Sequence, residues 1–351
     1  MRLDKDTIIG WLREADEARL AELWREADRV RRERVGDDVH LRGLVEISNH
    51  CVRRCGYCGI RADNRKIARY RMTSDEIMGC VREAMVFGYG TVVLQSGEDH
   101  GLTRDWIADV VRRIKGETEL AVTLSLGERS DEDLEVWRAA GTDRYLLRFE
   151  TSDRELYGRI HPPLPGRGSD RFAILDRLGS LGYEVGSGVM VGIPGQTYES
   201  LARDIELFRS LDLDMIGVGP FIPHPETPLG STEPSPALLS DEQVPNTEEM
   251  TYKVVALARL VCPGSNIPST TALATLNKAH GRELGLMRGA NVVMPNLTPP
   301  RYRASYEIYP AKACIDETAR TCHICMHGRI ASIGRRVGRG PGGRKHAKSP
   351  S

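Results

Sequence analysis

Val39-His-Leu-Arg-Gly-Leu-Val-Glu-Ile-Ser48 runs directly into Asn49-His-Cys51-Val-Arg-Arg-Cys55-Gly-Tyr-Cys58, and this junction sets the reading of the whole chain. The first half is aliphatic and β-branched and predicts a strand, while the second places three thiols on the loop that leaves it. From there the order strand, loop, helix repeats. Apolar runs predict further strands over 91–95, 120–126, 144–150, 184–191, 215–219, 267–274 and 291–294, which with 39–48 make eight. Helical spacing falls between them, for example over 74–87, 104–114, 131–140, 172–181, 198–210 and 248–260. Eight strands with covering helices predict an α/β fold, the (β/α)8 TIM barrel, whose active site lies at the C-terminal ends of the strands.

Outside that rhythm, Trp11, Leu12, Leu20, Leu23, Trp24 and Val30 recur at helical spacing among many charges, so 1–36 is expected to be a helical extension. The barrel is expected over 37–300, a closing segment over 301–330 and a flexible basic tail over 331–351. The stretches 162–170 and 231–246 are expected as surface loops. Lys+Arg and Asp+Glu number 49 each, so no global charge points to nucleic acid or membrane. With no apolar signal core and no run of about 18 apolar residues, a soluble cytoplasmic protein is expected. Six of the eight cysteines form two tight groups, Cys51/Cys55/Cys58 and Cys314/Cys322/Cys325, a distribution that suits metal or cluster ligation better than disulfides. Cys80 and Cys262 stand alone and are expected as small buried hydrophobes.

Three thiolates spaced C-x3-C-x2-C can hold three irons of a cubane and leave the fourth open to a chelating ligand. A structural zinc site would want a fourth ligand, which His50 could supply. The pattern, with aromatic Tyr57 before the last cysteine, resembles the radical S-adenosylmethionine (SAM) superfamily. That resemblance implies a [4Fe–4S] cluster and SAM as cofactors, a 5′-deoxyadenosyl radical as product of their reaction, and Tyr57 against the adenine.

The later strand ends carry polar residues that a buried strand does not need. Ser96-Gly97-Glu98-Asp99 follows the second strand and resembles the superfamily's methionine-binding turn; a helix-initiating loop is the plainer alternative. Thr123, Ser125 and Glu128 end the third. Arg148-Phe149-Glu150 alternates so that Arg148 and Glu150 face one side, either to pair with each other or to meet a ligand. The fifth strand is glycine-rich around Met190 and Gly192, where an adenine could rest on backbone, and Thr197 could cap the next helix. His224 sits in a proline-stiffened turn, as ligand or as structural residue. Thr270 and Thr271 follow the seventh strand, and Tyr302, Tyr306 and Tyr309 come from the closing segment, either facing substrate or packing.

Taken together, Leu94-Gln-Ser-Gly-Glu-Asp99, Thr123-Leu-Ser-Leu-Gly-Glu128, Tyr145-Leu-Leu-Arg-Phe-Glu-Thr151, Val189-Met-Val-Gly-Ile-Pro-Gly-Gln-Thr197, Gly219-Pro-Phe-Ile-Pro-His-Pro225, Gly289-Ala-Asn-Val-Val-Met-Pro-Asn296 and Tyr309-Pro-Ala-Lys312 resemble the HydE family of [FeFe]-hydrogenase maturases. The likeness implies action on a small iron–cysteine complex bearing carbon monoxide and cyanide, at its cysteine sulfur, alongside the maturases HydG and HydF and a ferredoxin or flavodoxin reductant. It implies Glu98 on the methionine amino group, Arg171 on its carboxylate, Glu150 also on the cofactor, and Arg148, Thr123, Thr270, Thr271, Tyr306 and Tyr309 on the substrate side. It also implies an auxiliary [2Fe–2S] or [4Fe–4S] cluster on Cys314, Cys322 and Cys325, where His323 or His327 could instead complete a zinc site. A monomer is expected. The alternatives are a relative such as methylornithine synthase or biotin synthase, and a non-catalytic iron–sulfur carrier.

Overall fold

A computed structural model describes residues 3–166, 168–231 and 242–344. Its centre is a curled, all-parallel sheet built from β1 (Asp38–Ser48), β2 (Thr91–Ser96), β3 (Ala121–Ser125), β4 (Arg144–Leu146), β5 (Glu184–Val191), β6 (Met215–Pro220), β7 (Val292–Val293) and β8 (Arg336–Val337). The strands run in the order β6-β5-β4-β3-β2-β1-β7, and β8 pairs with the start of β1. Helices such as Ser74–Val86, Arg104–Glu117 and Tyr198–Ser210 cover the outside, each opened by a threonine that accepts a backbone N–H. Thr197 is one of these caps, which settles its role as structural. Two N-terminal helices, Lys5–Arg13 and Glu17–Val35, start on Asp4 and Asp16 and pack on the outer helices Tyr198–Ser210 and Glu248–Val261.

The expected eighth ladder over 267–274 is absent. Single bridges at Asn266, to Met215, and at Pro268, to Val292, span the gap between β6 and β7 instead. Proline has no N–H to donate to a ladder, and two residues on Thr270 caps the helix Thr271–Leu276, so the chain turns helical where a strand was expected. The strand expected over 144–150 also ends early. Ser187 inserts its hydroxyl, donating to the Leu147 carbonyl at 2.8 Å and accepting from the Phe149 N–H at 3.2 Å, so a side chain replaces regular pairing. Past this irregularity Glu150 adopts φ 63, a left-handed conformation that costs a non-glycine residue about 1–3 kcal/mol.

The tail departs most from expectation. Residues 338–344 lie across the N-terminal mouth of the barrel rather than trailing free. The Pro341 carbonyl accepts from Thr91 at 3.0 Å and Arg144 at 3.1 Å, and the Gly342 carbonyl accepts from Arg42 at 3.0 Å and Asn266 at 3.1 Å. Gly90 admits this strap: a Cβ there would stand 1.8 Å from the Gly340 carbonyl oxygen. The buried arginines at the strand starts need acceptors, and the glycine-rich backbone can approach closely enough to supply them. Residues 345–351 and most of the loop expected over 231–246 lie outside the described residues.

Candidate active site

Alternate residues of the strands point inward, as the pleat requires, and wall a cavity of about 320 Å³: Arg42, Leu44 and Glu46 from β1, Val93 and Gln95 from β2, Thr123 and Ser125 from β3. At its C-terminal end, the loop after β1 brings Cys51, Cys55 and Cys58 to the cavity wall with Tyr57. Ser96, Glu98, Arg148, Glu150, Arg171, Thr270, Thr271 and Tyr309 line the same space. Phe149, between Arg148 and Glu150, turns outward onto Phe172 and Phe208. Arg148 and Glu150 do pair, 2.9 Å apart, and both also face the cavity.

Four residues of the expected set lie outside that wall. Gly97 backs the cysteine loop: a Cβ on it would stand 2.3 Å from the His50 carbonyl oxygen and 2.8 Å from the Cys51 Cβ, so its contribution is close approach rather than ligand contact. Met190 packs with Leu156, Ile160 and Phe221, a cluster on which Tyr57 rests. The Gly192 N–H donates to Gln196 at 2.7 Å, and its Cα sits against Asn246. Tyr306 is buried behind the wall, where its hydroxyl accepts from Gln95 at 3.2 Å. His224 takes the structural role: its Nδ1 accepts from the Glu226 N–H at 3.1 Å, and its ring fills the space beside Gly59. Tyr302 stacks on Tyr70 and donates to Glu76 at 2.7 Å, away from the cavity.

Sequence reasoning missed a buried ionic network beside the thiols. Arg53, between two of the cysteines, bridges Glu98 at 2.8 Å and Glu128 at 2.7 Å, and Arg171 meets Glu128 at 2.9 Å. His161 places Nδ1 3.0 Å from the Cys55 sulfur and Nε2 3.5 Å from Glu128. Burial works against an ionised Glu128, yet hydrogen bonds from His161, Ser169 and Arg171, with the Arg171 charge, hold it well below the usual carboxylate range. A second buried pair, Lys312 with Glu46, closes the cavity beneath Tyr306, with Asn296 donating to the other Glu46 oxygen at 3.0 Å.

The three thiols suit a multi-metal group. Burial, then Cys58 and Cys51, push the Cys55 thiol well above its ordinary value, and burial with Cys51 pushes Cys58 up to about 12, so the set ionises only around a strongly positive partner. Among the described residues, the ligand atoms that gather within 4.8 Å are those of Cys314, Glu317 and Cys322; the sulfurs of the first triad stand wider apart. Tetrahedral zinc, with Zn–S near 2.3 Å, needs ligands about 3.8 Å apart. His50 does not line this cavity, so it does not close a zinc site with the triad. An iron–sulfur cubane fits the donor set of three thiols.

The second triad is arranged differently. Cys314 and Cys322 share a hydrogen bond that lowers one thiol and raises the other, with Glu317 beside them. The Cys325 sulfur instead accepts from Arg329 at 3.4 Å. His323 stacks on Phe87 and reaches the Tyr89 hydroxyl at 3.2 Å. Cys80 and Cys262 are buried among apolar side chains, as expected.

A curled parallel barrel, a three-thiol loop after its first strand and a polar cavity between them define a radical SAM enzyme, and the Radical SAM superfamily model matches residues 45–208. The chain is 46% identical over 323 residues to "[FeFe] hydrogenase maturase subunit HydE" of Thermotoga maritima, covering 92% of this chain and 88% of that protein, and it belongs to the HydE family. Its resident cofactors are accordingly a [4Fe–4S] cluster and SAM. The 3-methylornithine synthase of Methanosarcina acetivorans is 27% identical over 83% of this chain and 79% of its own length. The crystal structure of methylornithine synthase (PylB) superposes with a TM-score of 0.81 at 24% identity, covering 97% of this chain and 95% of that one, a likeness of fold. Among the described residues, no helix is long and apolar enough to cross a membrane.

Proposed function

We propose that this enzyme acts in assembling the two-iron subcluster of the [FeFe]-hydrogenase active site, and that its cavity receives a small iron–cysteine complex. One observation carries the reading: the three thiols open into the same cavity as Thr123 Oγ1 and Arg148 Nε, both among the buried polar atoms there that no protein group hydrogen-bonds. A buried polar atom left unpaired costs about 1–3 kcal/mol, so these two await a ligand with acceptor atoms, which carbon monoxide or cyanide groups on iron would offer. The 46% identity to a HydE maturase against 27% to a methylornithine synthase favours this substrate over a free amino acid.

When bound, the cluster and SAM supply a 5′-deoxyadenosyl radical. The protein's work is to hold and orient. Cys51, Cys55 and Cys58 would hold the cluster, Tyr57 would lie against the adenine, and Glu150 would also contact the cofactor. Glu98 takes the methionine ammonium and Arg171 its carboxylate, each held in place by its partner in the Arg53–Glu128 network. Arg148, Thr123, Thr270, Thr271 and Tyr309 orient the substrate so that its cysteine sulfur faces the radical. Tyr306 supports that wall through Gln95. A ferredoxin or flavodoxin supplies the electron, HydG makes the substrate, HydF receives the product, and the enzyme works as a cytoplasmic monomer. No second cluster enters this proposal.

Hydrogenase maturation in vitro, with this chain omitted and then restored, tests the reading. Activity that returns with the chain supports it. Rearrangement of free lysine by the reconstituted enzyme would move it to the methylornithine synthases.

A further inference from the structure

Cys51 stands between two cavities. This cysteine lines the inner cavity and also a second, outer pocket of about 290 Å³, bounded by His50, Val52, Arg69, Arg71, Asp99 and His100. Among the described residues, no other lines both. The outer pocket therefore reaches a ligand of the cluster from outside, without crossing the space that SAM and substrate would fill.

The loop that supplies most of that pocket's lining, 50–71, is basic in a chain of zero net charge. Seven Arg or Lys lie between His50 and Arg71, against one acid, Asp63. Arg53 turns inward onto Glu98 and Glu128. Among the described residues, the other six share three carboxylates: Asp63 with Arg54 and Arg61, Glu226 with Lys66, and Asp99 with Arg71. Among the described residues, the loop thus carries more positive charge than its paired carboxylates balance, with Arg69 and Arg71 bounding the pocket itself, the kind of local excess that steers an oppositely charged protein. The loop is held in shape from beneath: Arg69 donates to the Ile60 carbonyl at 2.8 Å, the Arg61 carbonyl at 2.7 Å and the Asn64 carbonyl at 3.0 Å. A docking partner would meet a formed surface rather than a loose one.

We infer that the outer pocket and its basic loop, 50–71, form the docking face of a small acidic one-electron carrier protein, with Cys51 as the point of electron entry. The inference rests on the radical SAM reading. One electron passes from the reduced carrier to the cluster; the carrier is oxidised by one electron, the cluster is reduced by one, and no atom is transferred. The arrangement divides the two ends of the thiol loop by task, with donor on the outer side and chemistry on the inner.

The probe is an acidic flavodoxin. Calorimetric titration of oxidised flavodoxin into the reconstituted holoenzyme gives its affinity at 50 mM and 500 mM salt. The exposed pair Arg65→Glu with Lys66→Glu is expected to weaken binding about tenfold at low salt and less than about twofold at high salt, where surface charges are screened. The neutral pair Arg65→Gln with Lys66→Gln gives an intermediate loss, and an unchanged iron content shows that each variant is folded. In a second arm, 5′-deoxyadenosine formation driven by reduced flavodoxin slows in the reversed variant, while formation driven by dithionite is unchanged. Wild-type flavodoxin affinity in the reversed variant would overturn the docking face, as would equal slowing with both reductants. Absence of 5′-deoxyadenosine from the wild type with dithionite would instead overturn the enzymatic reading, a failure the binding arm keeps distinct.

Discussion

Replacing Lys312 by methionine removes one member of a buried ion pair and leaves the other inside. Lys312 and Glu46 are 5% and 1% exposed at their side chains, separated by 266 residues, and they join the closing segment to the first strand. Without the ammonium, the Glu46 carboxylate keeps, among the side chains of the described residues, the Asn296 amide as donor at 3.0 Å. Removing one partner of such a pair costs about 3–5 kcal/mol, chiefly because an uncompensated charge stays buried. The reverse change, Glu46→Leu, costs less, about 2–3 kcal/mol, because the ammonium retains the Tyr306 carbonyl at 3.3 Å and lies 5.1 Å from the Tyr306 ring centre, where cation–π attraction offsets part of the loss. The double variant, apolar at both positions, should lie within about 2 kcal/mol of wild type. Urea unfolding followed by circular dichroism, run on all four proteins, gives the cycle. A loss below about 1 kcal/mol for Lys312→Met, or a double variant as unstable as the two single changes added, would refute the account of this pair.

Gly97→Ala would press a methyl group against the His50 carbonyl and Cys51, so iron and sulfide content after anaerobic reconstitution should fall severalfold, whereas Gly79→Ala, with open space around it, should reconstitute normally. Truncation after Val337 deprives Arg42, Arg144, Thr91 and Asn266 of the carbonyls of the strap, and should cost about 1–3 kcal/mol for each buried donor left unpaired, read as a lower urea midpoint. Glu76 is lowered to about 2, first by the Thr73 N–H and then, against burial, by Tyr302, the Thr73 hydroxyl and Arg301. Its folded value lies below its unfolded 4.5, so the stability it contributes is present above about 4.5 and lost as pH falls towards 2; Glu76→Gln should flatten the stability profile in that window.

The barrel was legible because its strands are short apolar runs with helical segments between them, and because the thiol spacing fixes a loop directly after β1. The inward set Arg42, Glu46, Thr123, Arg148 and Glu150 follows from alternation alone once the strands are placed. The ionic network was not legible in this way: Arg53, Glu98, Glu128, His161 and Arg171 come from four separate loops and one helix start, and no periodicity links them. The short spacing that puts Arg53 between two cysteines was a usable signal, since a guanidinium beside three thiols needs carboxylates nearby. Tyr306 was expected at the cavity from the resemblance to the HydE family and Met190 from the glycine-rich fifth strand, but packing behind the wall looks the same as facing it at that level. The strap over 338–344 escaped because a glycine-rich basic run has the composition of a free tail; the buried arginines of β1 and β4 that hold it in place were the missing half of the pattern.

The central claim is that Cys51, Cys55 and Cys58 hold a cluster that cleaves SAM inside this cavity. Its most direct test is 5′-deoxyadenosine measured by chromatography after the reconstituted protein is mixed anaerobically with dithionite and SAM, for the wild type and for Cys55→Ser. The account predicts steady formation by the wild type and none above background by the variant; formation in both at the same rate, or in neither, would contradict it.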